Sequence, residues 1–196
     1  MRRNQLTELH YITPMANVPS ILRRGILSHT RVEGLAHESV AALEIQDRRR
    51  TVVIPGGRRL HDYANVYLCG RNPMMFKRKD RHIDLCVLQV DPRVLDVEGA
   101  VISDKNASSD YVRFAPAPRG LAIVDYEMTF AEYWTDDDPI LYMQKKSAKC
   151  AELLVPDRID SQFVLGAYVS CEEARASYQK LGLTLPCRIN GHLFFL

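Results

Sequence analysis

Residues 45–75, IQDRRRTVVIPGGRRLHDYANVYLCGRNPMM, set the first frame for the fold. Arg48, Arg49 and Arg50 close a helix predicted over residues 38–50, in which Val40, Leu43 and Ile45 fall broadly on one side. Three cations at a helix C-terminus complement the negative end of its dipole. Pro55-Gly56-Gly57 then forces a turn, and YANVYLC (63–69) has the composition of a strand. Arginine holds phosphate through a planar fork and keeps its charge at any physiological pH. A solvated helix end is the commoner use of such a run, and helical spacing lets at most one or two of the three enter a common site. His61 and Asp62 suggest an acid–base pair, but adjacent strand residues point apart, which favours a structural role for one of them. No GxGxxG or Walker pattern is present, so a dinucleotide site here would be of a non-Rossmann kind.

Working outward, ELHYIT (8–13) reads as a strand ended by Pro14. Tyr11 and Thr13 share one face of it, and His10 and Ile12 the other. A Tyr/Thr face suits stacking on an aromatic amide such as nicotinamide; a buried structural tyrosine fits equally well. Asn17 is placed to cap a short helix, VPSILRR, with Gly25 just past its end. On the other side, 83–90 is apolar enough for a central strand, and 99–103 forms a shorter one. Residues 104–139 are irregular, and a connection of that length in a small domain is usually functional. A helix over 140–148, strands at 151–155 and 163–169, and a helix over 171–182 closed by Gly182 follow. Short strands near 186–190 and 193–195 end the chain. Short strands mixed with a few helices predict an α+β fold in one domain, 1–196.

Glu152 stands out within that order. Alternation from Ala151 to Val155 puts Glu152 and Leu154 on one strand face and Ala151, Leu153 and Val155 on the other. A carboxylate at the start of an apolar strand either points to water or is held for chemistry, such as stabilising a cationic transition state.

Composition narrows the class. Net charge is +2, but residues 1–82 hold fifteen Lys/Arg against seven Asp/Glu, while the remainder holds eleven against seventeen. That polarity fits a polyanionic ligand near the basic part, or two compensating surfaces. The five cysteines are scattered without CxxC spacing and no HExxH pattern occurs, so neither a metal nor a disulfide framework is expected. MRRNQLTELHYITP lacks an apolar core after its arginines, and no apolar run approaches a membrane span. A cytoplasmic, membrane-free protein is expected.

Three segments together resemble the DarT family of DNA ADP-ribosyltransferases: LHYITPMANVPSILRRGIL, the stretch 45–75 quoted above, and KKSAKCAELLV. They occur in the family's order and bracket most of the chain. The resemblance implies an ADP-ribosyltransferase-like fold, with a central, mostly antiparallel split β-sheet flanked by helices. It places Glu152 at the catalytic glutamate position and Arg49 at the essential arginine. Tyr11, Ile12, Thr13, Ser20 and Leu27 fall at NAD⁺-contacting positions, with His10 and Tyr67 beside them. Residues from about 34 to 52 would form the NAD⁺-binding loop and helix, and 104–151 the substrate loop. Arg71, Lys145, Lys146 and Lys149 are candidates for the DNA backbone. Two differences are visible: the family's Tyr-His order is reversed as His10-Tyr11, and its aromatic run is replaced by Ala64-Asn65-Val66-Tyr67-Leu68. The resemblance implies NAD⁺ as co-substrate without a metal, single-stranded DNA as acceptor, and a macrodomain antitoxin as partner of a toxin. Transfer to RNA or protein, or an inactive binding module, are the alternatives.

Overall fold

The computed structural model describes residues 1–39 and 43–196, and in the helix that begins at Leu43 the side chains from Gln46 onward. Strands β1 (Leu9–Pro14), β2 (Ile26–Leu27), β3 (Tyr63–Tyr67), β4 (Leu85–Val90) and β5 (Val101–Ser103) come first. They are followed by β6 (Phe114–Pro116), β7 (Glu152–Pro156), β8 (Arg158–Ile159), β9 (Val164–Val169) and β10 (Cys187–Ile189). The helices are α1 (Val18–Arg24), α2 (His29–Val32), α3 (Leu43–Thr51), α4 (Pro73–Phe76), α5 (Tyr126–Phe130), α6 (Pro139–Ala148) and α7 (Glu172–Gln179). Among the described residues the main sheet has eight strands in the order β10-β9-β4-β1-β3-β7-β5-β6, and β2 pairs with β8 apart from it. All pairings in the main sheet are antiparallel except β10 with β9.

The sheet opens between β1 and β3, which share the single register pair His10↔Tyr67. Elsewhere β1 is paired along its whole length, from Leu9↔Val90 to Pro14↔Leu85 on β4. Beyond His10 it diverges from β3, and the gap becomes a cleft. The α+β split sheet expected from the sequence is the observed one.

Alternation decides what each strand buries. Leu153 and Val155 of β7 join Val66, Leu68, Cys86 and Leu88 in the main core on one face. Leu154 meets Ile54, Leu60 and Tyr63 on the opposite face. β4 is buried nearly throughout, as expected for a central strand whose apolar run removes both faces from water. Gly25, at φ +83°, ends α1 where an added Cβ would lie 2.3 Å from the Ile159 carbonyl oxygen. Only glycine fits both that conformation and that approach.

Several expectations change. The helix expected over 38–50 is described as α3 from Leu43, with Glu38 and Ser39 non-helical; Val40 and the side chains of Leu43 and Ile45 lie outside the described part. Asn17 makes no side-chain cap; it donates to Thr13 Oγ1 and pairs both ways with the Glu38 backbone. Residues 193 and 194 belong to a 3₁₀ turn, Gly191–Phe194, and Phe195 closes it at φ +66°, so no strand forms there. The irregular stretch 104–139 contains β6, a 3₁₀ turn and α5. Its polar backbone is satisfied locally, as when Asp104 accepts from Arg113 at N and Nε.

Candidate active site

A cleft of about 530 Å³ opens where β1 and β3 part. Its walls are β1, the α1–α2 region, the C-terminal half of α3, the start of α4 and the end of α6. Tyr11, Ile12, Thr13, Ser20, Leu27 and Tyr67 all line it. His10 does not. Its ring packs on Gly70, where an added Cβ would meet it at 2.9 Å, and its Nε2 meets Glu8 at 3.0 Å. Strand parity puts His10 on the face opposite Tyr11, and local packing then turns the ring away from the opening.

The register places His10, Tyr67, Glu152 and Ser103 in one row across four strands. Glu152 is fully buried. Arg49 Nη1 lies 3.1 Å from both carboxylate oxygens, and the Ala107 backbone N–H donates to Oε1 at 2.9 Å. Glu152 is therefore neither a solvated strand end nor part of the cleft wall; Arg49 stands between it and the opening. Burial works against the charge of Arg49, but Glu152 beside it outweighs this and holds the guanidinium more firmly protonated than usual. Burial, reinforced by Glu152, pushes the Tyr67 phenol well up and the Cys150 thiol up to about 12, so both are neutral.

The Pro-Gly-Gly turn explains how Arg49 reaches a strand more than a hundred residues away. Gly56 takes φ +70°, and an added Cβ on Gly57 would sit 2.8 Å from Tyr63 Oη. The turn folds α3 back over β3, and the Val52 carbonyl accepts from the Leu60 N–H. It packs on Tyr63, whose Oη accepts from the Arg58 N–H. Of the three arginines, Arg48 and Arg49 line the cleft and Arg50 does not, in keeping with helical spacing.

The backbone-track candidates separate. Lys146 lines the cleft. Lys145 is tied to Asp136 at 2.6 Å. Lys149 is buried, donating to the Ala131 carbonyl at 2.6 Å and meeting Cys69 Sγ at 3.2 Å, so it is an interior support. Arg71 turns to the C-terminal segment, donating to the His192 carbonyl and lying over the Phe195 ring.

Sequence reasoning missed Asn65, Asn106, Ser147 and Cys150, which all line the cleft. Asn65 was legible, since it shares a face with Tyr63 and Tyr67; Asn106 arrives on a loop whose path no local pattern gives. His61, left ambiguous above, lies on a 3₁₀ turn and stacks on His29 at 4.1 Å on the cleft wall. Asp62 points elsewhere, accepting from Thr30. Burial first, then His29 and Arg49, hold the His61 imidazole below its ordinary value. Among the described residues no cluster of three metal-binding side chains occurs, and no helix is long and apolar enough to cross a membrane.

Comparison with known proteins gives a consistent result. The family model for DarT, ssDNA thymidine ADP-ribosyltransferase, matches residues 10–195. A DNA ADP-ribosyl transferase–DNA ADP-ribosyl glycohydrolase fusion protein of Thermosipho africanus is 30% identical over 200 residues, covering 96% of this chain and 50% of the relative. The chain thus spans half the length of that protein. A DNA ADP-ribosyl transferase of Thermus aquaticus is 30% identical over 162 residues, covering 77% of this chain and 69% of its own. Among solved structures, Thermosipho africanus DarTG in complex with ADP-ribose superposes with a TM-score of 0.83 at 28% identity, covering 97% of this chain and 51% of that one. Thermus sp. 2.9 DarT in complex with ADP-ribosylated ssDNA gives 0.82 at 24% identity, with 97% of both chains covered.

Proposed function

The chain belongs to the DarT family of ssDNA thymidine ADP-ribosyltransferases, and from that premise we propose that it transfers ADP-ribose from NAD⁺ to thymidine in single-stranded DNA. The observation that carries the reading is the buried Arg49–Glu152 pair, whose arginine lines a cleft opened by the split sheet while its glutamate lies behind. Nicotinamide lies against Tyr11 and Thr13. The dinucleotide's phosphates face the cations of the wall, among which Arg48, Lys77 and Lys146 are placed for them.

Arg49 and Glu152 act as a coupled pair. In the resting arrangement each satisfies the other, which avoids leaving an isolated charge in a low-dielectric interior. A phosphate entering the cleft offers Arg49 a second anion and frees one Glu152 oxygen for a ribose hydroxyl. Glu152 keeps the Ala107 N–H as a fixed donor that orients it. Its negative charge then stabilises the oxocarbenium-like state as the bond to nicotinamide breaks. A base nitrogen attacks the same ribose carbon and loses its proton, so nicotinamide leaves and the glycosidic bond to the base replaces it. A single strand presents that nitrogen without the cost of extruding a paired base.

The name of the Thermosipho relative, which joins a transferase to a DNA ADP-ribosyl glycohydrolase, supports an antitoxin that removes the modification. On this reading the chain is a toxin, and a macrodomain glycohydrolase is its partner. The test is transfer of label from NAD⁺ to single-stranded DNA, duplex, RNA and protein in parallel, with Glu152→Ala beside the wild type. Label on single-stranded DNA alone, lost in Glu152→Ala, is expected. Transfer to RNA or protein in preference would overturn the acceptor, and label surviving Glu152→Ala would overturn the site.

A further inference from the structure

A second feature lies just outside the cleft. Pro73, Met74 and Lys77 at α4 form part of the cleft wall, and the same turn carries Phe76 on its outer side, 43% exposed. Asn72 fixes that turn by accepting from the Met74 and Met75 N–H groups while donating to the Cys69 carbonyl. Phe76 meets Trp134 and Phe195 edge-to-face at 5.6 and 5.1 Å, and Trp134 meets Phe195 at 5.7 Å. The trio joins α4, the segment between α5 and α6, and the C-terminal turn.

Cations cover the rings. Arg71 lies 3.9 Å from the centre of Phe195, and Lys79 Nζ 4.7 Å from that of Phe76. Residues 71–82 contain Arg71, Lys77, Arg78, Lys79 and Arg81 against one acid, Asp80. Arg81 is paired with Glu38, but among the described residues Lys79 meets no carboxylate. Of the acids beside Trp134, Asp136 holds Lys145 and Asp138 caps α6, while Glu132 and Asp137 are exposed to solvent. Phe195 packs on one side against the core cluster of Ile12, Met75 and Leu85, whereas Phe76 is left exposed. Alternating rings and cations at a surface are the composition that binds single-stranded nucleic acid, through base stacking and phosphate pairing.

We propose that Phe76, Trp134 and Phe195, with Arg71 and Lys79, form a stacking platform for the nucleotides that flank the modified base in single-stranded DNA. The inference rests on the acceptor proposed above. A strand leaving the cleft over Lys77 reaches Phe76 on the same turn, where a base displaces Lys79 from the ring and the ammonium moves to the adjoining phosphate.

Trp134 is the chain's single tryptophan, so its fluorescence reports the platform without turnover. Oligothymidylate is expected to quench it in the wild type and not in the Phe76→Ala/Lys79→Ala variant. In turnover, KM for a 20-mer with one central thymidine should lie about tenfold below that for a 4-mer, from one or two stacked bases. The double variant should lose that difference while keeping wild-type KM for the 4-mer and wild-type affinity for NAD⁺. Should circular dichroism show the double variant unfolded, Lys79→Glu leaves the rings in place and should raise KM for the 20-mer alone. Equal KM for both lengths in the wild type, or a difference that survives in a folded variant, would overturn the platform while leaving transfer to DNA intact. Absence of transfer to any DNA would overturn the acceptor; in that case quenching by oligothymidylate still decides for the platform, and its absence against it.

Discussion

Strand β7 carries a carboxylate at each end, and the two are treated in opposite ways. Glu152, its first residue, is fully buried and meets one arginine and one backbone N–H. Asp157, just past its last residue, has a side chain 39% exposed and meets two arginines, Arg58 at 2.9 Å and Arg31 at 3.3 Å. Counted by arginines alone, Asp157 is the better paired. Water decides otherwise: an exposed pair is screened and contributes little, whereas a buried charge that loses its partner cannot be resolvated. Asp157 ties the β2–β8 corner to the turn after α3, while Glu152 is the group whose environment is costly enough to need a purpose.

The sharpest break of this contrast is Glu152→Ala. Transfer should fall by at least a hundredfold, the scale expected when a group stabilising developing charge is removed. The fold should also lose roughly 3–5 kcal/mol, since Arg49 is left buried and unpaired. Urea denaturation beside a transfer assay separates the two losses. Arg49→Ala should cost a similar amount of stability for the reciprocal reason, and Arg49→Ala/Glu152→Ala together less than the sum of the singles. An additive double variant would show that the pair is not coupled.

His61 provides a finer probe, because its proton affinity is depressed chiefly by burial and then by His29 and Arg49. A folded state that binds the proton less readily than the unfolded one has its full stability above the ordinary histidine value, about 6.5. That contribution is lost as pH falls through the lower folded value. From about pH 7 to pH 5 the wild type should therefore lose more stability than His61→Gln, as read by paired denaturation curves. An NMR titration of His61 in Arg49→Ala should show its midpoint move upward.

Asp157 should give the smallest effect. Arg58 first, and Arg31 beside it, hold its carboxyl below the usual range, so its contribution is present at neutral pH and is lost as pH falls through that lowered value. Asp157→Asn should cost at most about 1 kcal/mol, less in high salt, with transfer unchanged. Its φ of +62° is one that asparagine tolerates, so the substitution removes charge with little backbone strain. A loss comparable to that of Glu152→Ala would mean that the corner, and not burial, governs the site.

Much of the architecture was legible locally. Alternation in AELLV separated Glu152 and Leu154 from Leu153 and Val155, and the structure buries Leu154 in a different cluster from Leu153 and Val155. The apolar run of β4, the glycine ending α1 and the limit of two arginines in one site all follow from period and propensity, whereas α7 stops at Gln179, short of Gly182. Lys149 and Asn17 did not: a lysine on a helix end and an asparagine before a helix have the same local pattern whether or not distant chain covers them. Lys149 became interior because Ala131 and Cys69 close over it, and Asn17 spends its amide on Glu38.

The sequence by itself determined which residues are capable of chemistry and which strand face each occupies, because periodicity and side-chain type are local properties. Only the tertiary structure decided that Glu152 lies behind Arg49, that Ala107 completes its shell, and that His10 turns away from the cleft. Those are contacts between residues far apart in the chain, and the desolvation that gives the Arg49–Glu152 pair its significance exists only when the whole fold excludes water from both.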